Sequence, residues 1–259
     1  MDFNLDFNSA WYMLVGVLFT GYAILDGFDL GVGSLHLKAG SDTDRRVFLN
    51  AIGPVWDGNQ VWLVTGGGAL FAAFPHVYAT AFSGFYLAFI LLLFTLVFRG
   101  VSIHVRSLRP GDLWRRVWDR AFFLSSLLAS LLIGVALGNI VWGVPLGENF
   151  SYQGNLLHQL HPFALLVGVT VVALFRMHGA IYLVLKTEGE LNAQVRTWVR
   201  PSIVFFIVMY ILTTLATLLY APRMAEPFRE NVWLFLAPLG SVLATARLPR
   251  ELHHGPALH

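Results

Sequence analysis

The chain is organised as long apolar runs separated by short polar segments. About 20 apolar residues form a helix long enough to cross a bilayer. Seven runs approach that length, at 11–33, 50–73, 77–99, 121–143, 162–185, 202–221 and 232–246. Runs such as AFILLLFTLVF lack the alternation of apolar and polar residues that membrane β-barrel strands show. The pattern therefore predicts an all-α, polytopic transmembrane helix bundle of about seven spans.

The composition agrees with a membrane protein. Hydrophobic residues make up 56% of the chain, charged residues 12%, and the mean hydropathy is +0.65. A soluble domain of this composition would expose too much apolar surface. The net charge of +2 gives no reason to expect a nucleic-acid partner. Without cysteine there is no disulfide and no thiolate site, and the acidic first ten residues do not resemble a signal peptide.

Lysine and arginine are distributed unevenly among the segments between the runs. Fourteen of these basic residues fall on one side of the predicted membrane and two on the other, and Arg176 lies within the fifth run. Positive charge is retained on the cytoplasmic side. The N-terminus is therefore predicted to lie outside, with the basic loops in the cytoplasm.

The spans are expected to form two units. Residues 1–145 are predicted to form a first transmembrane four-helix bundle. Residues 146–259 are predicted to form a partial second bundle with a short polar C-terminal tail. Because no soluble domain is evident, a ligand site must lie among the helices, on a loop or on a partner.

Three aspartates stand inside predicted spans. A charged aspartate at the centre of a membrane costs about 2.5–3.5 kcal/mol. Asp26 and Asp29 share one face of the first span because they are three residues apart. Asp57 lies in the second span, with Gln60 on the same face. Each carboxylate is either capped or paired near a helix end, or it belongs to a proton relay in which two close carboxylates do not both ionise.

Two further ionisable residues lie in the fifth span. Arg176 could neutralise a carboxylate on a neighbouring helix. His178 is a candidate axial haem ligand, although a buried histidine is more often a hydrogen-bonded packing residue. No histidine pair has the spacing of a zinc site. The sequence therefore predicts neither a metal site nor a haem bound by this chain alone.

Small and aromatic residues complete the pattern. GxxxG motifs occur in the first span at Gly27 and Gly31 and in the fourth at Gly134 and Gly138. Glycines at this spacing let helices approach closely in lipid, and packing within the chain is favoured here over dimerisation. Trp62 lies too deep in the second span for an interfacial anchor and suits the wall of a cavity.

Three segments carry a family resemblance. GYAILDGFDLGVG (21–33), DTDRRVFLNAIGPVWDGNQVWLVTGGGALFAAFPHVYATAFSGFY (42–86) and IGVALGNIVWGVP (133–145) resemble subunit II of the cytochrome bd quinol oxidases. The resemblance implies a heterodimer with subunit I, which carries haem d, haem b595 and haem b558. The complex oxidises quinol and reduces O2 to water. It takes protons from inside and releases quinol protons outside, without pumping.

The resemblance also implies roles for individual residues. Asp57 matches the acidic position of the WDGN motif and is expected on the proton path. Asp26 and Asp29 match the DGFD motif and are expected to support that path or the subunit contact. Trp62 is expected to border an oxygen passage. No catalytic residue is expected in this chain itself.

Some components and alternatives stay open at this point. The family is found in the bacterial cytoplasmic (inner) membrane, and a small accessory subunit and a bound quinone are further components that the resemblance allows. Family members continue for about two helices beyond the seventh span, so the second bundle is expected to be incomplete. A proton-coupled secondary transporter and a purely structural anchor for subunit I are the competing interpretations.

Overall fold

The computed structural model describes residues 6–148 and 151–254, and most of these residues are helical. The helices are α1 (Phe7–Leu35), α2 (Asp42–Ile52), α3 (Trp56–Ala73), α4 (Pro75–Gly84), α5 (Tyr86–Val105), α6 (Asp112–Trp142), α7 (Leu156–Gln159), α8 (Pro162–Lys186), α9 (Gly189–Tyr220), α10 (Glu226–Glu230) and α11 (Leu236–His254). A short 3-10 turn, His36–Lys38, follows α1. The only β pairing in the described ranges is a bridge between Leu146 and Tyr152. The all-α prediction is confirmed.

Five helices are long and apolar enough to cross a membrane. They are α1 together with its 3-10 turn, α5, α6, α8 and α9. The seventh predicted span corresponds to a shorter apolar segment, Val232–Arg247, whose first residues form a 3-10 turn. The total of seven spans and the outside position of the N-terminus stay predictions.

The second predicted span, 50–73, is divided in the structure. Helix α2 ends at Ile52 and α3 begins at Trp56. Pro54 lies between them, and proline lacks a backbone donor and disfavours helical geometry at the residue before it. The polar WDGNQ segment therefore occupies the first turns of α3.

The third predicted span, 77–99, is also divided. Phe85 separates α4 from α5, and α5 continues to Val105. Arg99, one of the fourteen basic residues predicted on the cytoplasmic side, therefore lies inside a membrane-spanning helix. This correction leaves 13 of the 14 basic residues on the predicted cytoplasmic side.

Helix α8 packs against α1, α6 and α9, and glycine makes two of these contacts close. A Cβ on Gly31 would overlap the backbone of Phe175 and Gly179, so α1 and α8 touch through their main chains. A Cβ on Gly134 would lie 2.6 Å from the Cα of Gly168 on α8. Both GxxxG motifs therefore mediate packing within the chain, as predicted. The division into bundles at 1–145 and 146–259 stays a prediction.

Candidate functional site

An ion pair joins α1 and α5 inside the bundle. Arg99 donates from its two terminal nitrogens to the two oxygens of Asp26, at 2.9 and 2.7 Å. Both side chains have an exposed fraction of 0%. Charge-assisted bonds of this bidentate kind are strong and directional. Asp26 is therefore held in a fixed ion pair rather than left facing lipid.

Asp29 lies beside this pair but is held differently. The amide of Asn59 on α3 donates to one oxygen of Asp29 at 2.8 Å, and Arg99 lies 3.9 Å from that same oxygen. The other oxygen, Oδ1, is buried without a hydrogen-bond partner in the described protein. Two carboxyl groups thus share one guanidinium cation. If both carboxyl groups are ionised, the cluster has one uncompensated negative charge. An unpaired buried charge is costly, and binding of one proton would neutralise it.

Tyr22 extends the same face of α1. It lies four residues before Asp26, and its buried hydroxyl has no hydrogen-bond partner in the described protein. Tyr22, Asp26 and Asp29 are all buried. Positions i, i+4 and i+7 lie on one side of a helix. Helix α1 therefore presents a continuous polar stripe to the interior.

The structure places Asp57 and Trp62 on other sides of α3. Asp57 is exposed on the surface of the chain, whereas Asn59, two residues later, reaches inward to Asp29 and to the carbonyl of Leu25. Trp62 is half-buried against Gly21 of α1. Asp26 and Asp29 are thus brought together, and α3 connects Asp57 to them through Asn59.

The exposed side of α3 forms a stripe along the helix. It consists of Asp57, Val61, Val64, Gly68 and Phe71, which repeat at intervals of three or four residues. A carboxylate on this surface would be costly against lipid, and small residues favour close helix contact in membranes. This combination is typical of a surface that another protein covers. We refer to these five residues as the α3 stripe.

A second buried ion cluster lies at the other end of α1. Asp119 of α6 accepts hydrogen bonds from His36 Nε2 at 2.6 Å, from Arg45 at 3.2 Å and from Arg106. Arg106 also donates to Asp42 at 2.6 Å. Burial opposes the charge of Arg106, but the bonds to Asp119 and Asp42 outweigh that effect and raise its pKa. The cluster fastens α1, α2, α5 and α6 together.

Sequence reasoning missed several of these residues. Arg99, and not Arg176, is the cation beside the intramembrane carboxylates. Arg176 makes no ion pair within the described part of the chain. Residue spacing could have identified His36. It follows Asp29 by seven residues and therefore continues the same helix face. The partners Arg99 and Asp119 come from distant segments, and no local pattern identifies them.

Two histidines of the candidate spans, His36 and His178, are withdrawn from the surface. His36 uses Nε2 to bond Asp119. His178 is half-buried and packs edge to face on Phe28, with ring centroids 5.6 Å apart. No group of three or more potential metal-ligating side chains occurs in the described ranges. In the described ranges, His36 is therefore engaged by Asp119 and His178 is held against Phe28.

Comparisons with known proteins agree with the sequence motifs. The family model described as cytochrome bd terminal oxidase subunit II matches residues 7–258. Cytochrome bd-I ubiquinol oxidase subunit 2 of Escherichia coli is 47% identical over 207 residues, which cover 78% of this chain and 55% of that protein. Cytochrome bd ubiquinol oxidase subunit 2 of Bacillus subtilis is 38% identical over 205 residues, covering 78% and 61%. The chain thus spans little more than half the length of these relatives.

A solved structure shows the same fold. The bd oxidase from Geobacillus thermodenitrificans matches with a TM-score of 0.78 and 18% sequence identity, covering 96% of this chain and 78% of the matched chain. At that identity the likeness concerns the fold alone. The match over residues 7–258 and the sequence identities nevertheless lead to one conclusion: the chain belongs to the family of cytochrome bd terminal oxidase subunit II.

Proposed function

We propose that this chain is subunit II of a quinol:oxygen oxidoreductase in the bacterial cytoplasmic membrane. It pairs with a subunit I that binds haem d, haem b595 and haem b558, oxidises quinol and reduces O2 to water. The complex builds a proton gradient by vectorial chemistry, without pumping. In this proposal the present chain supports subunit I and passes protons and oxygen to it. Family membership and the polar groups of α1 and α3 support the assignment.

The observation that supports the proton role is that α3 carries one carboxyl group and contacts a second one on α1. Its Asn59 bonds the buried Asp29, and its Asp57, two residues earlier, is exposed on another side of the helix. Helix α3 therefore joins the buried carboxyl group of Asp29 to a second carboxyl group that faces outward. Because a carboxylate is costly against lipid, we place subunit I on the α3 stripe, with Asp57 as the group that delivers the proton.

The three aspartates then have different roles in proton transfer. Asp26 fixes Arg99 through two hydrogen bonds, so its contribution is to hold the counter-charge in place. Asp29 shares that counter-charge only at 3.9 Å and has one free oxygen. Asp29 and Asp57 are therefore the proton-carrying members, and Asp26 is the positioning member.

Substitution of Asp29 or Asp57 by asparagine tests this proposal. Asparagine keeps the size of the side chain but cannot carry a proton. Loss of a positioned proton-transfer group typically slows turnover by about 100-fold or more. We expect Asp29→Asn and Asp57→Asn to slow oxygen consumption by the purified two-subunit complex, with unchanged haem content.

The matched control is Asp112→Asn, an exposed carboxylate in the first turn of α6. It is expected to leave oxygen consumption unchanged. Normal turnover in both Asp29→Asn and Asp57→Asn would rule out the proton role and leave a structural anchor as the better description.

We further propose that Trp62 borders the oxygen passage. Its ring is half-buried and packs on Gly21, where α3 and α1 approach closely. Trp62→Phe retains an aromatic surface but removes part of the wall. The expected result is a changed KM for oxygen at unchanged kcat, measured by oxygen consumption at limiting oxygen. An unchanged KM would exclude this role.

A further inference from the structure

The polar stripe of α1 continues beyond the acid cluster to the second ion cluster. Asp29 and His36 are separated by seven residues, two helical turns, and both are fully buried. At 1.5 Å per residue the two positions are about 10 Å apart along the helix. The stripe therefore connects the intramembrane carboxyl groups with the end of α1 that the loop charges place in the cytoplasm.

His36 has one ring nitrogen in use and one free. Asp119 accepts from the two guanidinium groups of Arg45 and Arg106, so it acts as a carboxylate, and the Nε2 of His36 donates to it. Nδ1 of His36 is buried and has no partner in the described protein. The imidazole is therefore fixed at one nitrogen and offers the other to the interior.

Ser126 of α6 lies between the two ends. It follows Asp119 by seven residues, so it lies on the same face of α6 and two turns further into the membrane. Its hydroxyl is packed against Gly33 of α1, where a Cβ would overlap the serine oxygen. The hydroxyl is completely buried and, like Nδ1 of His36 and Oδ1 of Asp29, has no protein partner in the described ranges.

Two of these unpartnered atoms, on His36 and Asp29, lie about 10 Å apart along α1, and the third, on Ser126 of α6, lies beside the same stretch at Gly33. Buried polar atoms in native proteins are nearly always hydrogen-bonded. Internal water commonly supplies the missing partner and makes about three hydrogen bonds itself. Apolar ligands would leave these atoms unsatisfied, and a bound cation would be repelled by Arg99 beside Asp29 and by Arg106 on Asp119.

We propose that a row of internal water molecules joins His36 Nδ1, Ser126 Oγ and Asp29 Oδ1, and that Asp29 regains its proton through this row from the cytoplasmic end. The inference rests on the proposed proton role of Asp29, and it adds the route by which the proton reaches Asp29. Each water or hydroxyl group releases one proton as it accepts one, so the net result is one proton moved to Asp29. His36 and Ser126 are positioning residues that hold the water.

Ser126→Ala in the complete complex tests the row, with Ser130→Ala as the matched control. Ser130 lies on the same helix and is equally buried, but its hydroxyl already donates to the carbonyl of Ser126 at 2.8 Å. Loss of one hydrogen bond that holds the water is expected to slow proton transfer by about three- to tenfold. Oxygen consumption should fall accordingly in Ser126→Ala only, with a larger solvent isotope effect in D2O.

A second readout does not depend on turnover. After transfer of the resting complex to D2O, infrared difference spectroscopy follows exchange at the Asp29 carboxyl, assigned by its loss in Asp29→Asn. We expect slower exchange in Ser126→Ala than in Ser130→Ala. His36→Gln, which keeps a donor toward Asp119 but lacks the second ring nitrogen, is expected to slow exchange as well.

The outcomes separate the two proposals. In one outcome, Asp29→Asn slows oxygen consumption, but Ser126→Ala and His36→Gln show the same exchange rate and oxygen consumption as Ser130→Ala. That result overturns the water row and leaves the proton role of Asp29 standing. If Asp29→Asn itself turns over normally, both are overturned. Slower exchange and turnover confined to Ser126→Ala and His36→Gln support the row.

Discussion

The guanidinium of Arg99 bonds both oxygens of Asp26, although the two residues are 73 positions apart in the chain. The pair fixes α5 to α1 and places a positive charge next to Asp29. A carboxylate in the apolar interior is tolerated because its counter-charge comes from another helix. The membrane-embedded site is therefore a product of tertiary packing.

Arg99→Met is predicted to destabilise the chain strongly, because it leaves Asp26 buried without its partner. Removal of one member of a buried ion pair typically costs about 3–5 kcal/mol. The double variant Arg99→Met/Asp26→Leu removes both charges and should recover part of the lost stability. Thermal unfolding of the purified complex measures both effects. Equal instability of the single and double variants would contradict this explanation.

The contact of α1 with α8 is predicted to depend on Gly31. A Cβ at this position would overlap the backbone of Phe175, which cannot move without shifting α8. Gly31→Ala should therefore lower the unfolding temperature and the yield of complex. Gly16→Ala is the control on the same helix, because a Cβ there meets nothing within 4 Å. Alanine has the higher helix propensity, so the control should be neutral or slightly stabilising.

Local spacing explains which parts of this structure the sequence predicted. The common face of Asp26 and Asp29 and the close packing at Gly31 and Gly134 follow from helical periodicity and residue size. These properties are encoded within one helix. The breaks at Pro54 and Phe85 were missed because both runs remain apolar through the break, and hydropathy does not report helix ends.

The partners of the buried charges could not be predicted in the same way. Arg99 meets Asp26 across 73 residues, and His36 meets Asp119 across 83. Such pairs depend on which helices become neighbours, which the pattern of a single sequence does not define. Positive charge is usually found outside the membrane, and this rule predicts a loop position for Arg99. Arg99 departs from this rule because the carboxylate of Asp26 compensates its buried charge.

Asp119 is predicted to be essential for the stability of the second ion cluster. Asp119→Asn keeps the shape of the side chain but leaves Arg106, which is almost fully buried, without its main counter-charge. The expected loss is about 3 kcal/mol or more of unfolding free energy. Asp112→Asn, an exposed change on the same helix, should cost far less. Denaturant unfolding of the two variants gives the comparison, and similar losses would argue against the cluster.

Stability is also predicted to depend on pH through His161, which lies outside the spans. His161 caps α8, because its Nδ1 accepts a hydrogen bond from the backbone N–H of Ala164 at 3.3 Å. Only the neutral imidazole has a free lone pair for this bond. Burial lowers the pKa of His161 below its ordinary value of 6.5.

The sign of the effect follows from proton binding. Between the lowered pKa of the folded state and the ordinary pKa of 6.5, the unfolded chain binds more protons, so stability rises with pH. The contribution of His161 is complete above that ordinary value and is lost as the pH falls below it. His161→Asn provides a cap that does not titrate. Its unfolding temperature should therefore decline less than that of the unmodified chain between about pH 7.5 and 5.5, and parallel declines would exclude His161 as the source.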